Sequence, residues 1–245
     1  MRYGIISDIH ANLEALEVGL DFLKGVDMIF CAGDIIGYGP NPNECCDIIR
    51  ESDIPTCLGN HDGGAIGKTS IDRFSRMARE AIAWTVAELS AANRLFLQTL
   101  PLARHSAGFV MVHGSLSNPA QFEYVTSPYE ARNTFPEMGS DKVCFIGHTH
   151  VTEFYSQRVG ETGANQIAMT EGGIVELNPE FLYIVNCGSV GQPRDGDPRA
   201  SIGIFDTDSQ TVEIHRLDYP LQITQEKIQR AGLLAPLWTR LQYGM

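Results

Sequence analysis

Tyr3-Gly4-Ile5-Ile6-Ser7-Asp8-Ile9-His10 stands at the start of the chain and decides how the rest is read. A short apolar run, Tyr3 to Ser7, stops at an aspartate and a histidine two positions apart. Behind it, Leu13, Leu16, Leu20 and Leu23 recur at helical spacing between Asn12 and Lys24, so a buried strand is followed by an amphipathic helix. The step repeats: Val26 to Ala32 predicts a second buried strand, and Asn41-Pro42 supplies an N-cap and a first-turn proline for a helix reaching Arg50. Ile54 to Leu58 reads as a short third strand. Ile71, Phe74, Ala78, Ala81, Ile82, Thr85 and Leu89 then predict one or two long helices between Ser70 and Leu100, ended by Pro101.

Beyond Pro101 the texture changes. Gly108 to His113, Lys142 to Ile146, Phe154 to Arg158, Gly173 to Leu177, Leu182 to Asn186, Ser201 to Asp206 and Thr211 to Leu217 all read as strands. Ser127-Pro128 opens one helix among them, and Thr224 to Gln242 reads as helix interrupted at Gly232 and Pro236. Alternation first and strands in succession later predict an α/β chain of the α+β type, with two mixed sheets packed as a sandwich flanked by helices. With no repeat and no linker in 245 residues, one domain over 1–245 is expected.

The formal net charge of -12 disfavours duplex nucleic acid, although bound cations would reverse the field locally and admit a small anionic substrate. Six cysteines without a Cys-x-x-Cys pair read as reduced core residues. No segment has the apolar length of a signal core or a membrane span, so the cytoplasm is the expected compartment and no membrane partner is expected.

Five segments share one grammar, in which an apolar run ends at Asp, His or Asn flanked by Gly: Ser7-Asp8-Ile9-His10, Gly33-Asp34-Ile35-Ile36-Gly37, Gly59-Asn60-His61-Asp62, Val112-His113-Gly114 and Gly147-His148-Thr149-His150. Ligands bind beyond the carboxyl ends of strands in such sheets, so the five tips are expected in one crevice. On an extended chain, Asp8 with His10 and His148 with His150 would each point to one side and chelate one centre. Taken singly, each pair also fits a capped turn with a hydrogen-bonded histidine. Asp34 alone could be an N-cap, but a carboxylate can bridge two cations, which His and Asn cannot do. Asn60 offers a neutral carbonyl oxygen to a hard cation, or simply turns the chain. His61 would point away from that cation toward substrate, with Asp62 orienting its imidazole; the plainer reading is a surface histidine. His113 is either a ligand or a core histidine satisfied by main chain. Five of the seven histidines lie in these segments, only His105 and His215 falling outside, so chance would have to act five times. Nitrogen and oxygen donors without thiolate favour Mn, Fe, Zn, Ni or Co.

With these motifs in order, the sequence resembles the calcineurin-like metallophosphoesterase superfamily, whose signature runs Asp-x-His, Gly-Asp-x-x-Gly, Gly-Asn-His-Asp or Glu, a lone His, and Gly-His-x-His. Asn186 to Arg194 resembles a segment of its small bacterial and archaeal phosphodiesterase branch, except that Cys187 stands where Pro is expected, a change expected to affect loop shape alone. The resemblance implies two divalent metals, Mn foremost: one held by Asp8, His10, Asp34 and His150, the other by Asp34, Asn60, His113 and His148. It also implies attack on phosphorus by a hydroxide bridging them, with His61 stabilising charge or protonating the leaving oxygen. Arg194, in a Gly- and Pro-rich loop, is a candidate phosphate ligand, against a surface ion pair with Asp195 or Asp197. The rival readings are a catalytically weak phosphate- or nucleotide-binding regulator and a protein-interaction scaffold, but a scaffold would be expected to have lost a ligand. Mono- and diesters, dinucleoside polyphosphates and phosphoproteins all stay open as substrates, and oligomeric state is not written in the residues. Choice among them lies in the loops Gly63 to Ser70, Ser115 to Ser127 and around Arg194. Phe122 and Tyr124 could stack on a base, although aromatic residues two apart fit a half-buried strand better.

Overall fold

A computed structural model describes residues 1–106 and 108–245. The chain runs β1 (Arg2–Ile6), α1 (Leu13–Phe22), β2 (Met28–Cys31), α2 (Pro42–Glu51), α3 (Asn60–Ala65), α4 (Arg76–Glu88) and α5 (Ala91–Thr99). It continues through β3 (Ala103–Ser106), β4 (Phe109–Val112), α6 (Pro128–Thr134), β5 (Val143–Ile146), β6 (Thr152–Arg158), β7 (Ala164–Ala168) and β8 (Gly173–Glu176). Then come β9 (Phe181–Cys187), β10 (Ala200–Asp206), β11 (Thr211–Leu217), α7 (Leu221–Arg230), α8 (Ala235–Thr239) and a 3-10 turn at Arg240–Tyr243.

The strands form two mixed sheets, ordered β2-β1-β10-β11-β8 and β3-β4-β5-β9-β6-β7. Their inner faces pack on each other through Tyr3, Ile5, Phe30, Phe109, Met111, Phe145, Val185 and Phe205. Alternate residues point outward: Ile6, Ile202 and Ile204 meet Leu16, Ile49 and Leu97 of the helices on one side, and Val110, Val112 and Ile146 meet Ala131 and Phe135 on the other. Strands covered on both faces need apolar residues throughout, which is why β4 and β5 read as continuous runs. This is the expected sandwich with flanking helices. Among the described residues, no helix is long and apolar enough to cross a membrane.

Several expected boundaries move. Ile54 to Leu58 is no strand: it touches β2 only through the Cys31–Thr56 bridge, where Pro55 has no N–H to offer a ladder. The edge strands β3 and β7 lack an apolar signature and were not foreseen. The long helical stretch divides into α4 and α5, each started by a serine whose side chain accepts a main-chain N–H, Ser75 from Ala78 and Ser90 from Asn93. Pro236 lies in the first turn of α8 and so begins a helix instead of breaking one. Cys187 is buried within β9 and packs against Gly203, so it belongs to the core and not to a loop.

β1 and β2 are parallel, as are β4, β5 and β9. Their carboxyl ends all open on one edge of the sandwich, and the connections leaving them carry the five Gly-flanked segments.

Candidate metal centre

Asp8, His10 and His150 form one group of potential ligands and Asp34, His113 and His148 another, each with its donor atoms within 4.8 Å of one another and all six residues buried. His113 Nε2 lies 3.3 Å from Asp34 Oδ2 and 3.0 Å from Asn60 Oδ1; His150 Nε2 lies 3.2 Å from Asp8 Oδ1. His10 Nε2 is 3.7 Å from Asp34 Oδ2, so Asp34 faces a histidine of each group. All seven residues expected as ligands therefore meet at one edge of the sandwich.

Main-chain carbonyls set the direction of three imidazoles. His10 Nδ1 donates to Ile36 O at 3.1 Å, His113 Nδ1 to Ala32 O at 3.0 Å, and His150 Nδ1 to Gln192 O at 2.5 Å. A carbonyl only accepts, so each Nδ1 carries the proton; the neutral rings of His10 and His150 turn a bare Nε2 inward, while His113, held charged by Asp34 and Asp8, directs its Nε2–H to Asn60 Oδ1. His10 Nε2 and His150 Nε2 then stand 3.0 Å apart with lone pairs facing, an arrangement that only a proton or a cation between them makes favourable. Asp34 Oδ1 accepts the main-chain N–H of His61 at 2.8 Å, while among the described residues its buried Oδ2 has no hydrogen-bond partner. An orphaned carboxylate oxygen amid converging lone pairs fits divalent cations, and the absence of thiolate fits harder ones.

Protonation follows burial and charge. Burial pushes the Asp8 and Asp34 carboxyls up, but His150 beside Asp8, and His113 and His61 beside Asp34, outweigh it and hold both below the usual range. Burial lowers His10, His150, His61 (to about 4) and His148 (to about 3), so these rings are neutral at neutral pH. For His113 burial also lowers, yet Asp34 and Asp8 prevail and raise it to about 9. Burial, then the charge of Asp34, lifts Asp62 to about 7.

The backbone that achieves this is not extended. Asp8, His10, Asp34, His148 and His150 all have φ between 49° and 69°, in the left-handed region that side chains resist. The two-residue period therefore does not govern the pairs. Asp8 and His10 still share a group, but His148 and His150 separate into different ones. Close approach dictates two glycines: a Cβ at Gly147 would land on Ser7 Oγ and Asp8 Oδ2, and one at Gly59 on Asp34 Oδ1.

Asn60, His61 and Asp62 form the first turn of α3. Asp62 does not orient the His61 ring; its carboxylate accepts from the main-chain N–H groups of Ile36 at 3.2 Å and Gly59 at 3.1 Å. His61 is buried, not a surface residue; its Nδ1 has no partner among the described residues, and its ring lies 4.9 Å from His10 and 4.4 Å from Tyr38. Among the described residues Arg194 forms no ion pair, since Asp195 binds Arg216 and Asp197 binds Arg199. Its Cζ lies 5.7 Å from the centroid of Tyr38, at the border of the centre. Phe122 and Tyr124 lie in no strand: Phe122 adopts φ 50° and is buried, while Tyr124 is half exposed and stacks on His148 at 3.9 Å. His105 and His215 pair with Asp141 and Glu213 away from the site.

Tyr38 carries no signal in the sequence, and Ser189 and Gln192 enter it only as part of the resembling segment Asn186 to Arg194, with no role assigned. Gln192 acts through its carbonyl, and Ser189 Oγ donates to Asp8 O at 2.8 Å, contacts that leave no mark on residue type. Asn186 was noted only by resemblance; its Nδ2 donates to Gly147 O and Thr149 Oγ1, both at 2.8 Å, and so shapes the His148 turn.

A family model described as the calcineurin-like phosphoesterase superfamily domain matches residues 1–210. An uncharacterized protein of Methanocaldococcus jannaschii is 37% identical over 251 aligned positions, covering 98% of this chain and 97% of that protein. A crystal structure of a metallophosphoesterase from Sphaerobacter thermophilus superposes with a TM-score of 0.88 at 40% identity, covering 100% of this chain and 99% of that one. A hypothetical protein from Pyrococcus horikoshii shares the fold, with a TM-score of 0.79 at 17% identity over 100% of this chain and 98% of that one.

Proposed function

Because the chain belongs to the calcineurin-like phosphoesterase superfamily, we propose that it hydrolyses phosphate esters with the help of two divalent cations, manganese foremost. Asp8, His10 and His150 would hold one cation and Asn60, His113 and His148 the other, with Asp34 standing between the two groups. Bound there, such cations supply Lewis acidity and a water that ionises near neutral pH.

The rest falls to side chains of the chain itself. His61, buried and neutral, offers an imidazole to a phosphoryl or leaving oxygen next to the centre. Asp62 acts at one remove, by fixing the turn that carries Asn60 and His61. Arg194 brings a planar fork for phosphate oxygens. Residues 1–245 act as one domain on a small phosphorylated substrate. Six buried thiols support a reducing compartment, the cytoplasm.

The observation that carries this reading is the approach of the His10 and His113 Nε2 atoms to Asp34 Oδ2, which has no hydrogen-bond partner among the described residues, with His150 Nε2 against Asp8 Oδ1 beside them. Protein reconstituted with Mn is expected to cleave p-nitrophenyl phosphate or bis-p-nitrophenyl phosphate. Reconstituted protein inert on both would refute it.

A further inference from the structure

One face of Tyr124 lies on the imidazole of His148, with ring centroids 3.9 Å apart and planes 18° from parallel. Tyr124 is half exposed, and since His148 covers one face, that exposure belongs to the other face and the edge. The segment carrying the ring is fixed on both sides of it. Glu123 O accepts from Ser115 N at 3.0 Å, Val125 O from the Tyr155 hydroxyl at 3.3 Å, and Thr126 N donates to Glu130 Oε2 at 2.6 Å. An aromatic side chain is thus held beside the centre with a face to spare.

Tyr124 also forms one wall of a crevice of about 290 Å³, completed by Ser115, Glu123, Glu130 and Asn133. That volume stands at the lower end of the range for small-molecule sites. The polar groups of the crevice are not equivalent. Glu130 Oε2 is engaged by Thr126 and Ser127, and Ser115 Oγ by Ser117 and Thr134. Glu123 and Asn133 are exposed, and among the described residues the carboxylate of one and the amide of the other have no protein partner. Two carboxylates in its wall make the crevice a poor place for a further phosphate. An open aromatic face beside an uncommitted carboxylate and an uncommitted amide instead suits a ring whose faces are C–H and whose rim is hydroxyl: the face stacks on Tyr124, the hydroxyls donate to Glu123 and bond with Asn133.

We propose that this crevice receives the organic part of the ester and selects sugar phosphates, with Tyr124 as the platform under the sugar ring and Glu123 and Asn133 reading its hydroxyls. The inference rests on the phosphoesterase reading and names its substrate class.

Titration calorimetry at saturating Mn compares two phosphonates of one skeleton, neither of which can be hydrolysed. One is glucose 6-phosphate with a methylene in place of the ester oxygen; the other is 2-cyclohexylethylphosphonate, which lacks every hydroxyl. Wild-type protein is expected to bind the sugar compound about tenfold more tightly, which is what one hydrogen bond to a charged group contributes. Glu123→Ala and Asn133→Ala are each expected to shrink that ratio to about threefold or less, while His105→Ala, away from the crevice, keeps it. Melting curves identify any variant with a damaged fold, leaving the other to decide. Wild-type protein that binds neither compound, or both equally, overturns the proposal, as does an undiminished ratio in a folded Glu123 or Asn133 variant. Inertness toward p-nitrophenyl phosphate would instead strike the phosphoesterase reading, which the binding ratio does not measure.

Discussion

Arg216→Met is the perturbation with the largest effect expected away from the ligands. Arg216 leaves β11 in one sheet and meets Asp195 in the loop after β9 of the other, and both side chains are closed to solvent, at 1% and 0% exposure. Asp195 Oδ2 also accepts from Thr152 N at 3.3 Å and Thr152 Oγ1 at 3.2 Å, so the pair fastens the loop carrying Gln192 and Arg194 to β6. Methionine keeps the length and removes the charge. The aspartate is then buried with Thr152 alone for company, and removing one partner of a buried pair costs about 3–5 kcal/mol. For a chain of this size that is a fall in Tm of about 6 to 20 °C, read by thermal unfolding and by urea titration at constant slope. Asp195→Asn combined with Arg216→Met removes the stranded charge, so the double variant should be more stable than the sum of the single losses. A loss below about 1 kcal/mol, the worth of an exposed pair, or strictly additive losses, would refute the reasoning.

Asp34→Asn should lower phosphoesterase activity by orders of magnitude, while His105→Ala stays within about twofold, because Asp34 Oδ2 lies within 3.7 Å of a histidine of each group and His105 lies away from both; equal losses would remove its bridging role. Gly147→Ala should cost about 1–3 kcal/mol and lower bound metal in elemental analysis, since its Cβ would strike Ser7 and Asp8. Adding Mn to chelator-treated protein at 100 times its Kd should raise stability by about 2.7 kcal/mol, visible as a shift in Tm of about 5 to 11 °C. The six cysteines are buried and free, with burial raising their thiols, so a thiol reagent should be taken up only when denaturant is added; fast reaction in the native state would contradict the packing.

The sandwich and the crevice were legible because both rest on side-chain type. Apolar runs announced the doubly covered strands, and Gly-flanked Asp, His and Asn announced the strand ends. What escaped rests on main chain. β7 is an edge strand of mostly exposed, unpatterned residues. Phe122 turns into a left-handed conformation, so two aromatics at strand spacing form no strand. His148 and His150 diverge for the same reason, and the resemblance, not the spacing, anticipated their separation. Asp62 was given the wrong neighbour because helix entry at Gly59 commits its carboxylate to N–H groups.

The left-handed turns at Asp8, His10, Asp34, His148 and His150 carry a practical warning for anyone engineering this chain. Each holds a side chain where glycine would rest more easily, by about 1 kcal/mol. A thermostability screen that reads unfolding alone would therefore feel a pull toward glycine at these positions, and its survivors would have lost the side chains that converge at the crevice.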